Sequence, residues 1–144
     1  MTTPNHSMLI KKITRDEDNR GSIVSIVDNS IQNVSIIECN AGMIRSNHYH
    51  KIDYHYMYVL EGEIDYFFKD LKNEKVCYFK VNKDDIIFTP KQEIHATFFP
   101  VKTRLIVSSK MPRDQETYEN DTVRVDFINK NNLKFMIEKY GNSK

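Results

Sequence analysis

Short apolar runs broken by polar turns set the rhythm of this chain. β-Branched and aromatic residues recur in segments of five to seven, and the pattern predicts strands over residues 8–14, 22–27, 33–39, 45–50, 54–60, 64–69, 75–81, 85–89, 95–99 and 103–109. Between them stand DNRGS, CNAG, LEGE, DLKNEK, VNKDD and TPKQE, built from residues that favour turns. One strand and one turn about every ten residues is the signature of an antiparallel sandwich or barrel. The tail departs from this pattern. PRDQETYENDT, residues 112–122, is polar and reads as a loop, and TVRVDF reads as a late strand. NNLKFMIEKYG reads as a short helix, with Asn131 or Asn132 as N-cap, Leu133, Met136, Ile137 and Tyr140 on one face and Gly141 as its stop. A helix this short is marginal alone, so it must dock on the barrel or on a partner subunit. The expectation is an all-β single domain over residues 1–144, with a barrel core over 8–110 and a C-terminal loop and helix over 111–144.

Length and charge exclude several classes. A chain of 144 residues is one domain by size and can bury a core. Lys plus Arg is 21 and Asp plus Glu is 20, without a charge block, which argues against a nucleic-acid or anionic-membrane surface. No apolar run reaches bilayer length, and MTTPNHSMLIKKI lacks an apolar stretch of signal-peptide length, so cytoplasmic residence is the expectation. Cys39 and Cys77 lack metal-type spacing and are expected to be packed thiols, not a disulfide.

The chemistry concentrates in NHYHKIDYHYMYVLEGE, residues 47–63, which holds three of the five histidines. Side chains alternate along a strand, so His48 and His50 share a face and Tyr49 takes the other. If KIDY turns the chain back so that the two strands pair, His55 joins the first two. Imidazoles converging at about 2 Å from one point make a transition-metal site. His95, after a Pro-containing turn, is a natural fourth ligand from across a barrel. Taken singly, each has another explanation. His-x-His on a strand is weak evidence of a metal, His55 alone reads as a polar rim residue, and His95 alone as a satisfied core histidine. The spacing of Gly42, Gly62 and Pro90 around these histidines favours the joint site, with Gly42 permitting the turn into one strand and Gly62 a hairpin.

GMIRSNHYHKIDYHYMYVLEG resembles the first signature of the cupin superfamily, and residues 84–99, with Pro90 and His95, resemble the second. The resemblance covers about sixty residues of the middle of the chain. It implies a cupin jelly-roll β-barrel, with His48, His50, His55 and His95 as ligands of a divalent transition metal. The chain departs from the family pattern at His55, where Glu is usual, at Asp84 and Gln92, where Gly is common, and at Phe99, where Asn is common. A four-histidine site carries one more positive charge than the three-His-one-Glu set and suits zinc, iron, nickel or copper rather than magnesium or calcium. A three-histidine facial set with His55 swung away is also known among cupin-like dioxygenases. A metal-free site, in which the histidines serve as bases, stays open as well. Small cupins pair through sheet edges, so the resemblance also implies a homodimer.

A looser resemblance joins DNRGSIVSI, residues 18–26, to cupin enzymes acting on nucleotide-linked keto-sugars, including epimerases, isomerases and zinc-binding capsule-precursor cupins. In such enzymes an Arg-Gly here lies by the nucleotide-sugar pocket, which makes Arg20 and Gly21 substrate-binding candidates. The alternative is a plain turn before a strand.

The leading expectation is therefore an epimerase or isomerase of a nucleotide-linked keto-sugar in surface polysaccharide biosynthesis. His48 and His50 would be the catalytic groups, Tyr54 and Tyr66 proton donors, and Arg45 a bidentate partner for a diphosphate. Met57, Val59, Ile86, Phe88 and Phe99 would form an apolar lining. An iron- or nickel-dependent dioxygenase or lyase on a small organic acid, and a non-catalytic barrel binding a sugar or metabolite, are the alternatives. The cupin fold does not choose among these.

Overall fold

The computed structural model describes residues 3–141. Twelve strands and two short helices follow one another: β1 (Met8–Ile10), β2 (Ile13–Asp18), β3 (Gly21–Ser25), β4 (Asn33–Cys39), β5 (Met43–His50), β6 (His55–Glu61), β7 (Ile64–Asp70), β8 (Cys77–Val81), β9 (Ile86–Thr89), β10 (Glu93–Phe99), β11 (Thr103–Ser109), α1 (Gln115–Asp121), β12 (Thr122–Arg124) and α2 (Leu133–Met136). A π-helical turn, Ile137–Gly141, extends α2.

Two five-stranded sheets face each other, ordered β1-β9-β6-β11-β4 and β12-β5-β10-β7-β8. The inner eight strands pair as β4 with β11, β5 with β10, β6 with β9 and β7 with β8, all antiparallel. That nesting is one long hairpin rolled on itself, the jelly roll. Val59, Ile64, Tyr66, Val81, Ile87, Leu105 and Val107 fill the space between the sheets. Both thiols are free. No helix among the described residues is long and apolar enough to cross a membrane.

Several expectations are corrected. Residues 8–14 are two strands, because β1 pairs with β9 while β2 pairs with β3 in a separate two-stranded hairpin. β5 and β6 do not pair around KIDY. That connection crosses from one sheet to the other, so His55 meets the other histidines across the sandwich. Gly62 likewise joins strands of opposite sheets; its φ is +93°, and an added Cβ would lie 2.3 Å from Thr103 Oγ1. Residues 112–122 are not a loop: Asp114 caps α1 by accepting from the Thr117 N–H at 3.0 Å. Ile86 and Phe88 turn away from the barrel interior; Ile87 fills it instead, while Phe88 packs with Tyr54 and Tyr56 beneath Ile10, Val27 and Ile31.

The C-terminal helix docks on the barrel. Leu133, Met136, Ile137 and Tyr140 join Phe127 and Ile128 against Phe67, Ile94 and Ala96, on the outer face of the sheet that carries His48, His50 and His95. Asn132 is its N-cap without a side-chain capping bond; Asn129 Oδ1 instead accepts from the Asn131 and Asn132 N–H groups.

Candidate functional site

A bulge in β5 builds one wall of the site. His95 pairs with His48 and Ala96 with Ser46, which leaves Asn47 as an extra residue. Ser46 and Asn47 take φ of +70° and +55°, a left-handed pair that re-aims the strand. Strict alternation would put Arg45 and His48 on opposite faces. The bulge turns both inward, and Ile44 packs outside instead. Asn47 is anchored by donating to Ile128 O at 2.8 Å and accepting from Ile128 N at 2.9 Å, so the docked tail holds the bulge.

The histidines converge. Ring centroids lie 4.6 Å apart for His48 and His50, 4.8 Å for His48 and His95, and 4.6 Å for His50 and His55. Ligand-capable nitrogens of His48, His50 and His95 lie within 4.8 Å of one another, and His50, Asp53 and His55 form a second such group. The expected set of four thus resolves into a triad with His55 beside it. His55 Nδ1 lies 3.0 Å from Ser109 Oγ and 3.7 Å from Asp53 Oδ2, which hold the ring to its own side.

Burial strips the imidazoles of water and lowers every pKa in the cluster, reinforced for His48 by its neighbours His95 and His50. His48 falls to about 2, His95 to about 3 and His50 to about 4, and His55 falls well below its ordinary value. All four are neutral near pH 7 and carry a free lone pair. Burial, with Asp121 adding to it, pushes the Asp53 carboxyl up to about 6.

The hydrogen bonds around His50 set its tautomer. The Thr122 hydroxyl donates to Tyr118 O at 2.6 Å, so toward His50 Nδ1, 3.4 Å away, it can only accept. Asp121 Oδ2 also lies 3.4 Å from Nδ1. Nδ1 therefore carries the proton, and Nε2 is a bare acceptor, buried and without a partner among the described residues. A buried orphan nitrogen beside two neutral imidazoles fits a divalent transition metal held by His48, His50 and His95.

Above the cluster opens a cavity of about 250 Å³, lined by His48, His55, His95 and, at its mouth, Arg45, Arg113 and Arg124. His50 lies just behind this surface. Met57 and Phe99 give the cavity an apolar wall, and Tyr118 of α1 stacks under Arg113 at 5.1 Å. Arg124 is held by Glu119 through two bonds of 2.9 and 2.8 Å, whereas neither Arg45 nor Arg113 forms an ion pair among the described residues.

Other expected site residues lie elsewhere. The Tyr54 hydroxyl donates to Ser30 O at 2.7 Å on the outer face of its sheet, away from the cavity. The Tyr66 hydroxyl sits 2.8 Å from both Ser7 Oγ and Thr89 Oγ1, wholly buried in the barrel and outside the cavity lining. Arg20 and Gly21 form the tip of the β2–β3 hairpin, where Arg20 pairs with Asp18, and neither lines the histidine cavity. The sequence reading missed Asp53, Arg113, Tyr118, Asp121 and Thr122. The signal available for α1 was Asp114 followed by Gln115 and Glu116, an N-cap with an acid in the first turn.

An eight-stranded jelly roll with histidines from both sheets gathered under one open end is a cupin-type barrel. More narrowly, this chain belongs to the polysaccharide biosynthesis C-terminal domain family, whose model matches residues 16–107. Among solved structures, it resembles QdtA, a sugar 3,4-ketoisomerase from Thermoanaerobacterium thermosaccharolyticum, with 18% identity, a TM-score of 0.67, and 96% of this chain and 97% of that one covered. It also resembles WlaRB, a TDP-quinovose 3,4-ketoisomerase from Campylobacter jejuni, with 19% identity, a TM-score of 0.69 and coverage of 84% and 94%. The capsular polysaccharide assembling protein CapF from Staphylococcus aureus matches with 17% identity and a TM-score of 0.60 over 81% of this chain, which spans 35% of CapF. At these identities the likeness establishes the fold. No curated protein sequence matches the chain.

Proposed function

We propose that this protein isomerises a nucleotide-linked keto-sugar, moving a carbonyl between adjacent carbons of the sugar ring in surface polysaccharide biosynthesis. The observation that carries the reading is the joining of neutral histidines to an arginine-rimmed cavity: groups that move a proton lie beneath groups that hold a diphosphate. The fold likeness to QdtA along nearly its whole length supports it, as does the family of polysaccharide biosynthesis domains.

The chemistry follows from the residues. In a 4-keto sugar the C3 proton is acidified by the neighbouring carbonyl. His48, at the cavity surface, accepts that proton, and the electron pair spreads over C3 and O4 as an enolate. Returning a proton at C4 and passing the O3 proton to O4 leaves the carbonyl at C3, with no external oxidant. His50, 4.6 Å behind His48, is the second proton carrier, oriented by Asp121 and Thr122. Arg45 and Arg113, which form no ion pair among the described residues, take the diphosphate. If a divalent transition metal is bound by His48, His50 and His95, it supplies Lewis-acid polarisation of a sugar oxygen. Proton transfer then belongs to His55, which lines the cavity and stands outside that triad.

A homodimer is part of the proposal. The β2–β3 hairpin is exposed along nearly every position, including Ile13 and Ile23, and an isolated two-stranded hairpin is marginal in water. A second copy would cover it. A nucleotide-linked substrate also places the reaction where nucleotide pools lie, which favours the cytoplasm.

The test is incubation with TDP-linked 4-keto-6-deoxy sugars in deuterated water, with chelator and with added metal. Deuterium at the carbon next to the carbonyl is expected. Its absence from every sugar in both conditions would overturn the proposal.

A further inference from the structure

We propose that Ser7, in the segment preceding β1, is a positioning residue for His95, acting through Glu93 and Tyr66. Glu93 and His95 are two apart on β10 and so share its inner face. Glu93 is 3% exposed, and its carboxylate is fully engaged from the N-terminal side. It accepts from the Ser7 N–H at 3.0 Å and from the Ser7 hydroxyl, and His6 Nδ1 lies 3.1 Å from its other oxygen. With Glu93 ionised, the direction of the chain is set. Ser7 spends its single hydroxyl proton on Glu93, so the Tyr66 hydroxyl, 2.8 Å away, donates to Ser7, and Thr89 donates to Tyr66 at 2.8 Å.

Both anchored groups act on His95. The backbone carbonyl of Glu93 lies 3.3 Å from His95 Nδ1 and holds the proton there, leaving Nε2 free. The Tyr66 ring runs parallel to the His95 imidazole, with 9° between the planes and 6.1 Å between centroids. One face of His95 is therefore set by a tyrosine that cannot swing while Ser7 and Thr89 hold its hydroxyl. His95 also meets His48 edge to face at 4.8 Å, so loosening Tyr66 loosens the geometry of the whole cluster.

This rests on the proposed function only for the task His95 performs; the positioning itself is read separately. In protein carrying ¹⁵N-labelled histidine, long-range ¹H–¹⁵N spectra report the tautomer of each ring. The wild type is expected to show His95 as a single Nδ1–H tautomer. Ser7→Ala should average that signal toward a tautomer mixture, and Ser7→Thr, which keeps a hydroxyl, should restore it. In the deuterium-exchange reaction Ser7→Ala should lower kcat by about ten- to a hundredfold with KM little changed. Should Ser7→Ala fail to fold, Tyr66→Phe, which removes one oxygen, carries the same spectral test. An unchanged His95 signal in either variant, accompanied only by lower thermal stability, would overturn the inference. If the wild type exchanges no sugar, the proposed function fails while the spectra still decide this one.

Discussion

Asp121 Oδ2 lies 3.4 Å from His50 Nδ1 while the same carboxylate accepts the backbone N–H groups of Ile52 and Asp53 at 2.8 and 3.1 Å. One side chain at the end of α1 thus does two things. It pins the connection that carries the chain from one sheet to the other, and it sets the tautomer of a histidine in the cluster. Asp121→Asn should separate these tasks, because the amide keeps one acceptor oxygen but loses the charge. The expected result is a fall of about ten- to a hundredfold in deuterium exchange, with a stability loss of about 1–3 kcal/mol measured by urea unfolding. A variant that loses stability yet exchanges at the wild-type rate would show that the carboxylate only pins the chain.

Metal affinity should discriminate between three and four ligands. The nitrogens of His48, His50 and His95 form one group, and His55 joins only His50 and Asp53. In titration calorimetry with zinc, His95→Ala is expected to weaken binding by more than about a hundredfold, and His55→Ala by less than about tenfold. Equal losses would mean that His55 completes the coordination sphere. No measurable zinc binding by the wild type would favour the metal-free reading, in which the rings act only on protons.

The division between what was legible in the sequence and what was not follows from range. The inward pair His48 and His50 with Tyr49 outward was readable because alternation along a strand is local. The docked face of Leu133, Met136, Ile137 and Tyr140 was readable for the same reason. The crossing between sheets at residues 51–54 was not, because a short connection looks alike whether it closes a hairpin or changes sheet. The inward turn of Arg45 depends on a bulge at Ser46 and Asn47, which lacks a glycine to mark it. Tyr66 was expected as a proton donor at the site, but its hydroxyl is claimed by Ser7, 59 residues earlier, and no local pattern reports such a partner.

Two backbone positions make a contrasting pair of stability predictions. Gln92 is exposed, yet its φ is +57°, a region that costs a side-chain-bearing residue about 1–2 kcal/mol. Glycine removes that penalty and returns about 0.5–1 kcal/mol of chain entropy to the unfolded state. Gln92→Gly is therefore expected to stabilise slightly, by less than about 1 kcal/mol. Gly62→Ala should do the reverse. Its Cβ would sit 2.3 Å from Thr103 Oγ1 and 2.7 Å from Lys102 O, at φ of +93°, and a loss of about 3 kcal/mol or more is expected. Thermal denaturation of both variants checks the pair, and a Gly62→Ala protein as stable as the wild type would contradict the close packing at the β6–β7 junction.

The histidine cluster should make the metal-free fold sensitive to mild acid. His48, His50 and His95 have folded-state values of about 2, 4 and 3, against 6.5 in the unfolded chain, and His55 is lowered as well. Below pH 6.5 the unfolded chain gains protons at these rings that the folded chain refuses, so stability falls as pH falls. The loss per histidine approaches about 1.4 kcal/mol for each further pH unit, until the pH reaches that ring's folded value. Asp53 works in the opposite sense. Its folded value of about 6 lies above the ordinary 3.8, so between those values the folded chain holds the extra proton and part of the loss is offset. Glu93, also raised by burial, works in the same sense as Asp53. With four rings against two carboxyls, the histidines dominate. Urea unfolding in the presence of a chelator should show a flat plateau above pH 7 and a steep decline from pH 6 to pH 4.5, and His48→Asn should flatten that decline. A protein equally stable at pH 7 and pH 5 would mean that the rings are not held buried and neutral.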